Sequence, residues 1–301
     1  MTKAFENFTS AKAKRIWSKS GIYFGLIAYF LLLFLPFMVI VITSFTSDAE
    51  IASTTGFVWF PSEFSGEGYR MVFEFDPNKT NGVPSLLLGF INTMWQTLLP
   101  SVVGLTVSGL AAYAYAKYDF PGKSKFFASI IFMMTIPVSA GITGYLFFAQ
   151  LGWTTGSASV LPMIVPGLFG SAGTIFFIYP YLKALPDGVL EAAKIDGMGF
   201  FGIFFKIVLP LSKPIFLAQF LFAFVGGYNN YSGALIYLAN QKQLWTLQLA
   251  LNQLVSYITG AGGYNNVACA AALMSMLPLL VLYAFVQKFF IEGITLGSVK
   301  G

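Results

Sequence analysis

Six stretches of the chain are almost wholly apolar, at about residues 21–43, 86–114, 126–149, 159–182, 214–238 and 266–288. They lie within segments that carry no charge at all: 20–47, 80–116, 126–182, 214–241 and 243–287. Each stretch is near or above the roughly 20 residues a helix needs to cross a bilayer. The pattern therefore predicts an all-α membrane protein with six transmembrane helices. The first stretch is too long for a cleavable signal peptide and has no Ala-x-Ala end, so it reads as a retained helix. Pro137, Pro162, Pro166 and Pro278 fall inside apolar stretches and are expected to bend or break them; Pro36 interrupts the apolar run of the first.

Composition agrees with this reading. Of the 301 residues, 56% are hydrophobic and 10% charged, against about 25% charged in soluble domains, which excludes a water-soluble globule. Disorder is excluded too, because it needs low hydrophobicity. The chain has no His and one Cys, Cys269. That removes an internal disulfide, a His- or Cys-built zinc site and any nucleophile–His mechanism.

The charges orient the helices. Lys3, Lys12, Lys14, Arg15 and Lys19 precede the first stretch, and Lys117, Lys123 and Lys125 follow the second. Lys183, Lys194, Lys206 and Lys213 follow the fourth, and Lys288 and Lys300 follow the last. Only Arg70, Lys79 and Lys242 fall on the other side. The richer side is expected to be cytoplasmic, with both termini on it. The net charge of +5 is then a topology signal, and no nucleic-acid partner is expected. The loop after the first stretch carries Asp48, Glu50, Glu63, Glu67, Glu74 and Asp76, and is read as external.

No charged residue lies in the middle of a stretch, which argues against proton coupling and voltage sensing. Gly122-Lys123-Ser124 ends like a phosphate-binding loop, but position 117 is Lys instead of the required Gly. Any ATP must be bound by another polypeptide. The polar groups in the stretches are amides: Asn92 and Gln96 one turn apart, and Gln219, Asn229 and Asn230 on or near the fifth. They serve either helix-to-helix hydrogen bonding or a polar translocation path. Tyr228, Tyr231 and Trp245 suit either an interfacial aromatic belt or the faces of a sugar. Gly104, Ser108 and Ala112 suit close helix packing.

The connection from Lys183 to Pro214 is the most informative. Asp187 is a candidate N-cap after Pro186, residues 191–194 favour helix, and Gly197 suits a left-handed stop. These signals predict a helix of about nine residues, too short to stand alone in water. The Phe-rich segment from Met198 to Val208 should lie on the membrane face or the bundle. Pro210 and Pro214 should break the chain before the fifth stretch.

Glu191-Ala192-Ala193, then Gly197, then Ile207 and Leu209-Pro210, resemble at every defined position the signature loop of permease subunits of ABC importers. Asn92-Thr93, Leu110-Ala111-Ala112-Tyr113-Ala114, Phe120-Pro121-Gly122-Lys123, Ile136-Pro137 and Ile195-Asp196-Gly197 resemble the carbohydrate-importing members. The external Ser44–Glu50 and Trp59–Pro61, and the tail Gly293–Gly301, look like the smaller, six-helix subunit of maltose-transporter-type systems. The resemblance implies a type I importer permease fold. It divides the chain into a cytoplasmic tail (1–20), a six-helix permease domain (21–288, with external loop 44–85 and coupling loop 183–213) and a second tail (289–301).

Further expectations follow from that family. The chain would be half of a heterodimeric pore in the bacterial cytoplasmic membrane, with a second permease subunit, two ATPase subunits that bind ATP and Mg, and an external binding protein delivering a carbohydrate near residues 44–85 and 239–265. Glu191, Ala192, Ala193, Asp196, Gly197, Ile207, Leu209 and Pro210 would couple to the ATPase, with Gly197 as a joint. Gly297, Lys300 and Gly301 would reach between the ATPase subunits. Asn92, Gln96, Gln219, Tyr228, Asn229 and Asn230 are candidates for the translocation path. The family commonly has Asn-Asp where this chain has Asn229-Asn230. No catalytic or metal site and no cofactor is expected. An importer for polyamines or amino acids is the rival reading.

Overall fold

A segment surrounded by lipid has no water to satisfy its backbone, so helix is the conformation that pairs every N–H and C=O internally. The computed structural model follows that constraint. It describes residues 2–74, 76, 78–135, 141–260 and 265–298, with side chains described for those between 21 and 287 except Thr259. Among these residues the chain is helical, apart from loops and an isolated bridge between Thr80 and Val83.

The helices are α1 (Thr2–Ser44), α2 (Asp48–Ser53), α3 (Glu67–Glu74), α4 (Ser85–Lys117), α5 (Lys123–Thr135) and α6 (Ile142–Gln150). After a 3₁₀ turn (Gly156–Val160) come α7 (Leu161–Leu168), α8 (Ala172–Lys183), α9 (Asp187–Ile195) and α10 (Phe200–Ile203). A π turn (Phe204–Val208) leads into α11 (Leu209–Leu211), α12 (Lys213–Tyr228) and α13 (Tyr231–Leu238). A further 3₁₀ turn (Lys242–Leu244) precedes α14 (Leu247–Gly260) and α15 (Asn265–Ser298).

Four described segments are long and apolar enough to cross a membrane: Gly21–Ser44, Ser85–Lys117, Gly156–Lys183 and Asn265–Gln287. A fifth, Phe200–Leu211 followed by Lys213–Tyr228, is bent by 87°. Pro210 and Pro214 flank that bend, each in the first turn of its helix, where a missing N–H is harmless. The expected third span, 126–149, falls on α5 and α6 and is not among these segments; Pro137 lies outside the described residues. The fifth expected span, 214–238, is interrupted at Asn229–Asn230. Pro36 and Pro278 sit inside the continuous α1 and α15 and do not break them.

The chain forms two compact units. One comprises Met1–Phe75 and Val255–Met274. Here Ser44 Oγ and Tyr69 OH are 2.9 Å apart, and the rings of Phe45 and Tyr69 are 5.1 Å apart. The Glu50 carboxylate accepts from both the N–H and the hydroxyl of Ser62 at 2.9 Å. The long acidic loop is thus ordered by its own acidic residue.

The other unit comprises Asp76–Leu254 and Ser275–Gly301, and α4 is its axis. Pro84 offers no side-chain cap to α4, so the buried Asp76 carboxylate accepts the Ser85 N–H instead. Helix α4 packs against α7, α8 and α12. The approach to α7 uses glycine: Gly104 faces the carbonyl of Gly167, with no room for a side chain. Ser108 Oγ accepts the Ser171 N–H at 2.9 Å. The small residues expected to allow close packing do so. Below this seam a core gathers Ala112, Tyr113, Ile178, Leu182, Leu190, Ala193, Ile203, Phe204, Val208 and Phe216.

Candidate functional site

The predicted short helix is present as α9, nine residues long. Leu190 and Ala193 are its buried face, packed in the core with Ala112 and Tyr113 of α4 and Ile178 and Leu182 of α8. This packing supplies what an isolated helix of that length lacks. Glu191, Ala192, Asp196 and Gly197 lie on the exposed side, together with Val189 at 45% and Ile195 at 87% exposure. Ile207 and Leu209 pack against the same core, and Pro210 is exposed. The signature positions therefore divide into three that hold the loop on the bundle and five that face outward.

Both ends of α9 are fixed. At its C-terminus Gly197 has φ +79°, the left-handed conformation. The Gly197 N–H donates to Lys194 O and the Met198 N–H to Ala193 O, both at 3.0 Å. This is a Schellman stop, so Gly197 is a hydrogen-bonded terminus and not a loose joint. At the N-terminus the cap position is Pro186. Asp187 occupies the first helical turn and, contrary to the capping expectation, spends its carboxylate elsewhere.

That partner is Lys117, the last residue of α4. Its ammonium donates to Asp187 Oδ1 at 2.7 Å, to Leu185 O at 2.6 Å and to Lys183 O at 3.3 Å. The Lys117 side chain is only 6% exposed. The hydrogen bond and positive charge of Lys117, with a smaller contribution from Lys194, hold the Asp187 carboxyl below its ordinary value. In the sequence Lys117 reads only as one of the topology charges. Its position at a helix end, four residues after Tyr113, gave no other signal.

The candidate path residues also have definite places. Asn92 Nδ2 donates to Gln243 O at 2.8 Å and Trp245 O at 3.0 Å, and Gln96 Nε2 donates to Leu244 O at 3.0 Å. Thr93 Oγ1 accepts the Leu247 N–H at 2.8 Å. One face of α4 thus binds the turn before α14, a helix-to-loop role that neither sequence reading named. Tyr228 is fully buried and its OH donates to Ser275 O at 2.7 Å. Asn229 accepts from Gln248 Nε2 at 3.2 Å, and Asn230 caps α13 by accepting the Gly233 N–H. Trp245 is buried, with its indole N–H on the carbonyls of Leu238 and Ala239.

Gln96, Gln219 and Asn230 meet at a cavity of about 210 Å³ between α4, α7 and α12. Ser101, Ser108, Ser171, Thr174 and Thr246 add hydroxyls, and no charged side chain lines it. Gln96 Oε1 and Thr246 Oγ1 are buried and have no hydrogen-bond partner among the described residues. Asn92, Tyr228 and Asn229 are not part of this lining. Lys300 and Gly301 lie outside the described residues, and Gly297 is in the last turn of α15.

Three comparisons place this geometry. Residues 20–295 match the family described as binding-protein-dependent transport system inner membrane component. The chain is 30% identical to the polygalacturonan/rhamnogalacturonan transport system permease protein YtcP of Bacillus subtilis, covering 93% of this chain and 97% of that one. It is 31% identical to the arabinooligosaccharides transport system permease protein AraQ of the same organism, over 80% and 81%. Its fold matches a chain in the crystal structure of a bacterial ABC transporter that imports the acidic polysaccharide alginate, with TM-score 0.75, 23% identity and coverage of 92% and 98%. The chain therefore belongs to the binding-protein-dependent transport system inner membrane components, as a multi-pass permease subunit of an ABC importer.

Proposed function

We propose that this chain forms half of the translocation pore of a carbohydrate importer and receives its driving force through α9. The observation that carries this is the exposed face of α9: Glu191, Ala192 and Asp196 project outward on a helix anchored at both ends. A helix held this firmly, yet showing apolar Val189 and Ile195, suits a groove in an ATPase subunit. The bilayer, a second permease subunit, two ATPase subunits and an external binding protein complete the machine. Both termini and α9 lie on the cytoplasmic side, where Lys and Arg are concentrated. ATP and Mg are held by the ATPase subunits, and the tail with Gly297, Lys300 and Gly301 makes a second contact to them.

Carbohydrate is favoured by the cavity beside α4. Its lining is amides, hydroxyls and glycine with no charge, and two buried oxygens stand ready for hydroxyl donors. A polyamine would call for carboxylates there, and an amino acid for charges of both signs. The names of the relatives support the same substrate class.

The coupling reading is tested by replacing Glu191 with Lys, and Ile195 with Ser, in the reconstituted importer. Loss of ATPase copurification and of uptake is expected. Full association and uptake in both variants would remove α9 from the ATPase contact. A binding assay on the cognate external protein tests the substrate class, and capture of amino acids alone would overturn the carbohydrate reading.

A further inference from the structure

Besides the core packing of Leu190 and Ala193, α9 is joined at two points to the end of α4, and the two points are consecutive residues, Lys117 and the C-cap Tyr118. Lys117 takes hold of the N-terminal end. An ammonium has three N–H groups, and here all three are used, on Asp187 Oδ1, Leu185 O and Lys183 O. Lys183 ends α8 and Leu185 lies in the turn between α8 and α9, so the same cation also fixes that connection. A buried ammonium is tolerated only when it is fully partnered, which makes this arrangement a demanding one at 6% side-chain exposure.

Tyr118 takes hold of the other end. The Lys194 ammonium lies 4.8 Å from the centre of the Tyr118 ring, and the Phe200 ring, just beyond the Gly197 stop, lies 5.4 Å from it. Tyr118 is itself braced: its OH is 3.2 Å from Tyr113 OH, and its carbonyl accepts from Lys123 Nζ at 2.8 Å. Asp187 and Lys194 are separated by about two turns, roughly 10 Å along the helix. One anchor would leave a pivot, whereas two anchors at that separation fix the direction of α9 as well as its position. Helix α4 then runs on to Gly104 and Gln96 in the wall of the uncharged cavity.

We propose that Lys117 and Tyr118 make α9 and α4 a single rigid lever, with Lys117 as the positioning residue that carries motion of α9 into the cavity wall. This rests on the reading of α9 as the ATPase contact. Lysine suits the role, because its compact ammonium points three N–H groups in three directions, whereas the guanidinium holds its five donors in one plane.

The test uses the complete importer in proteoliposomes, reading uptake per ATP hydrolysed. Lys117→Met should lower that ratio by about tenfold or more, the usual scale of coupling between distant sites, and Lys117→Arg should not restore it. A wild-type ratio in Lys117→Met would overturn the proposal. A second variant guards against a folding defect: K117C/D187C in a Cys269→Ala background, joined by a short bis-methanethiosulfonate linker, which releases methanesulfinate as each Cys forms its disulfide and is cleaved by a reductant. Joining should raise uptake per ATP and cleavage should lower it again. Loss of uptake on joining would show that α9 must move relative to α4, and would overturn the lever. If Glu191→Lys leaves ATPase copurification and uptake intact, the coupling reading itself fails. If Glu191→Lys abolishes them while Lys117→Met keeps its coupling ratio, only the lever fails.

Discussion

Gly104 of α4 and Gly167 of α7 are packed backbone against backbone. A Cβ built on Gly104 would stand 2.1 Å from the Gly167 carbonyl oxygen, and one on Gly167 would stand 2.7 Å from Pro100 Cβ. Neither helix can yield by rotating a side chain, because the obstacle in the first case is main chain. Gly104→Leu is expected to open the seam and destabilise the bundle by about 1–3 kcal/mol. The thermal unfolding midpoint of the purified complex reads this directly, and an unchanged midpoint would show that the seam can part without cost.

The Gly197 stop depends on backbone conformation and not on space. A Cβ there meets nothing within 4 Å, yet φ is +79°. Gly197→Ala should therefore cost roughly 1–2 kcal/mol from the left-handed conformation alone. Gly197→Asn should recover part of it, since Asn tolerates that region. Hydrogen exchange across residues 187–199 should quicken in the Ala variant and less so in the Asn variant. Equal exchange in both would mean that the left-handed conformation does not set the residue type.

Asn92 holds two carbonyls with one amide. Asn92→Asp removes the donor and places a carboxylate against those oxygens, so it should be worse than Asn92→Leu, which leaves carbonyls unpaired at about 1–3 kcal/mol. The expected readout is faster proteolysis or hydrogen exchange at residues 243–247 in both variants. Protection equal to wild type would assign the turn to other contacts.

The Lys117–Asp187 contact should be insensitive to pH over the physiological range. Its carboxyl is held below the ordinary 3.8 by Lys117. A carboxyl whose value falls on folding adds stability that is present above the unfolded value and is lost as pH drops through the folded one. The difference in unfolding midpoint between wild type and Asp187→Asn should be flat from about pH 8 to 5 and should shrink only in stronger acid. A difference that already shrinks near neutral pH would point to another titrating group.

The spacing of charges showed where the helices run, because a charge in lipid is costly wherever it falls. It did not show that α12 meets the preceding helices at 87°, but Pro210 and Pro214, expected to break the chain there, flank that bend. The motif at Glu191 was legible, and so was the Gly197 stop, because both are local chemistry. Lys117 was visible only as a charge count. Its three acceptors lie 66 to 70 residues away, and no local pattern links them. Asn92 was legible as a polar group in need of a partner, but its partners are main-chain carbonyls, which carry no sequence signature.

The alternation along α9 separates two properties within four neighbouring residues. Ala193 and Leu190 face the bundle, while Glu191 and Ala192 face away. The outer residues can therefore change without disturbing the fold. Under the proposed coupling role, such a permease could be retuned from one motor subunit to another by editing only that outer face, with the inner residues left as they are.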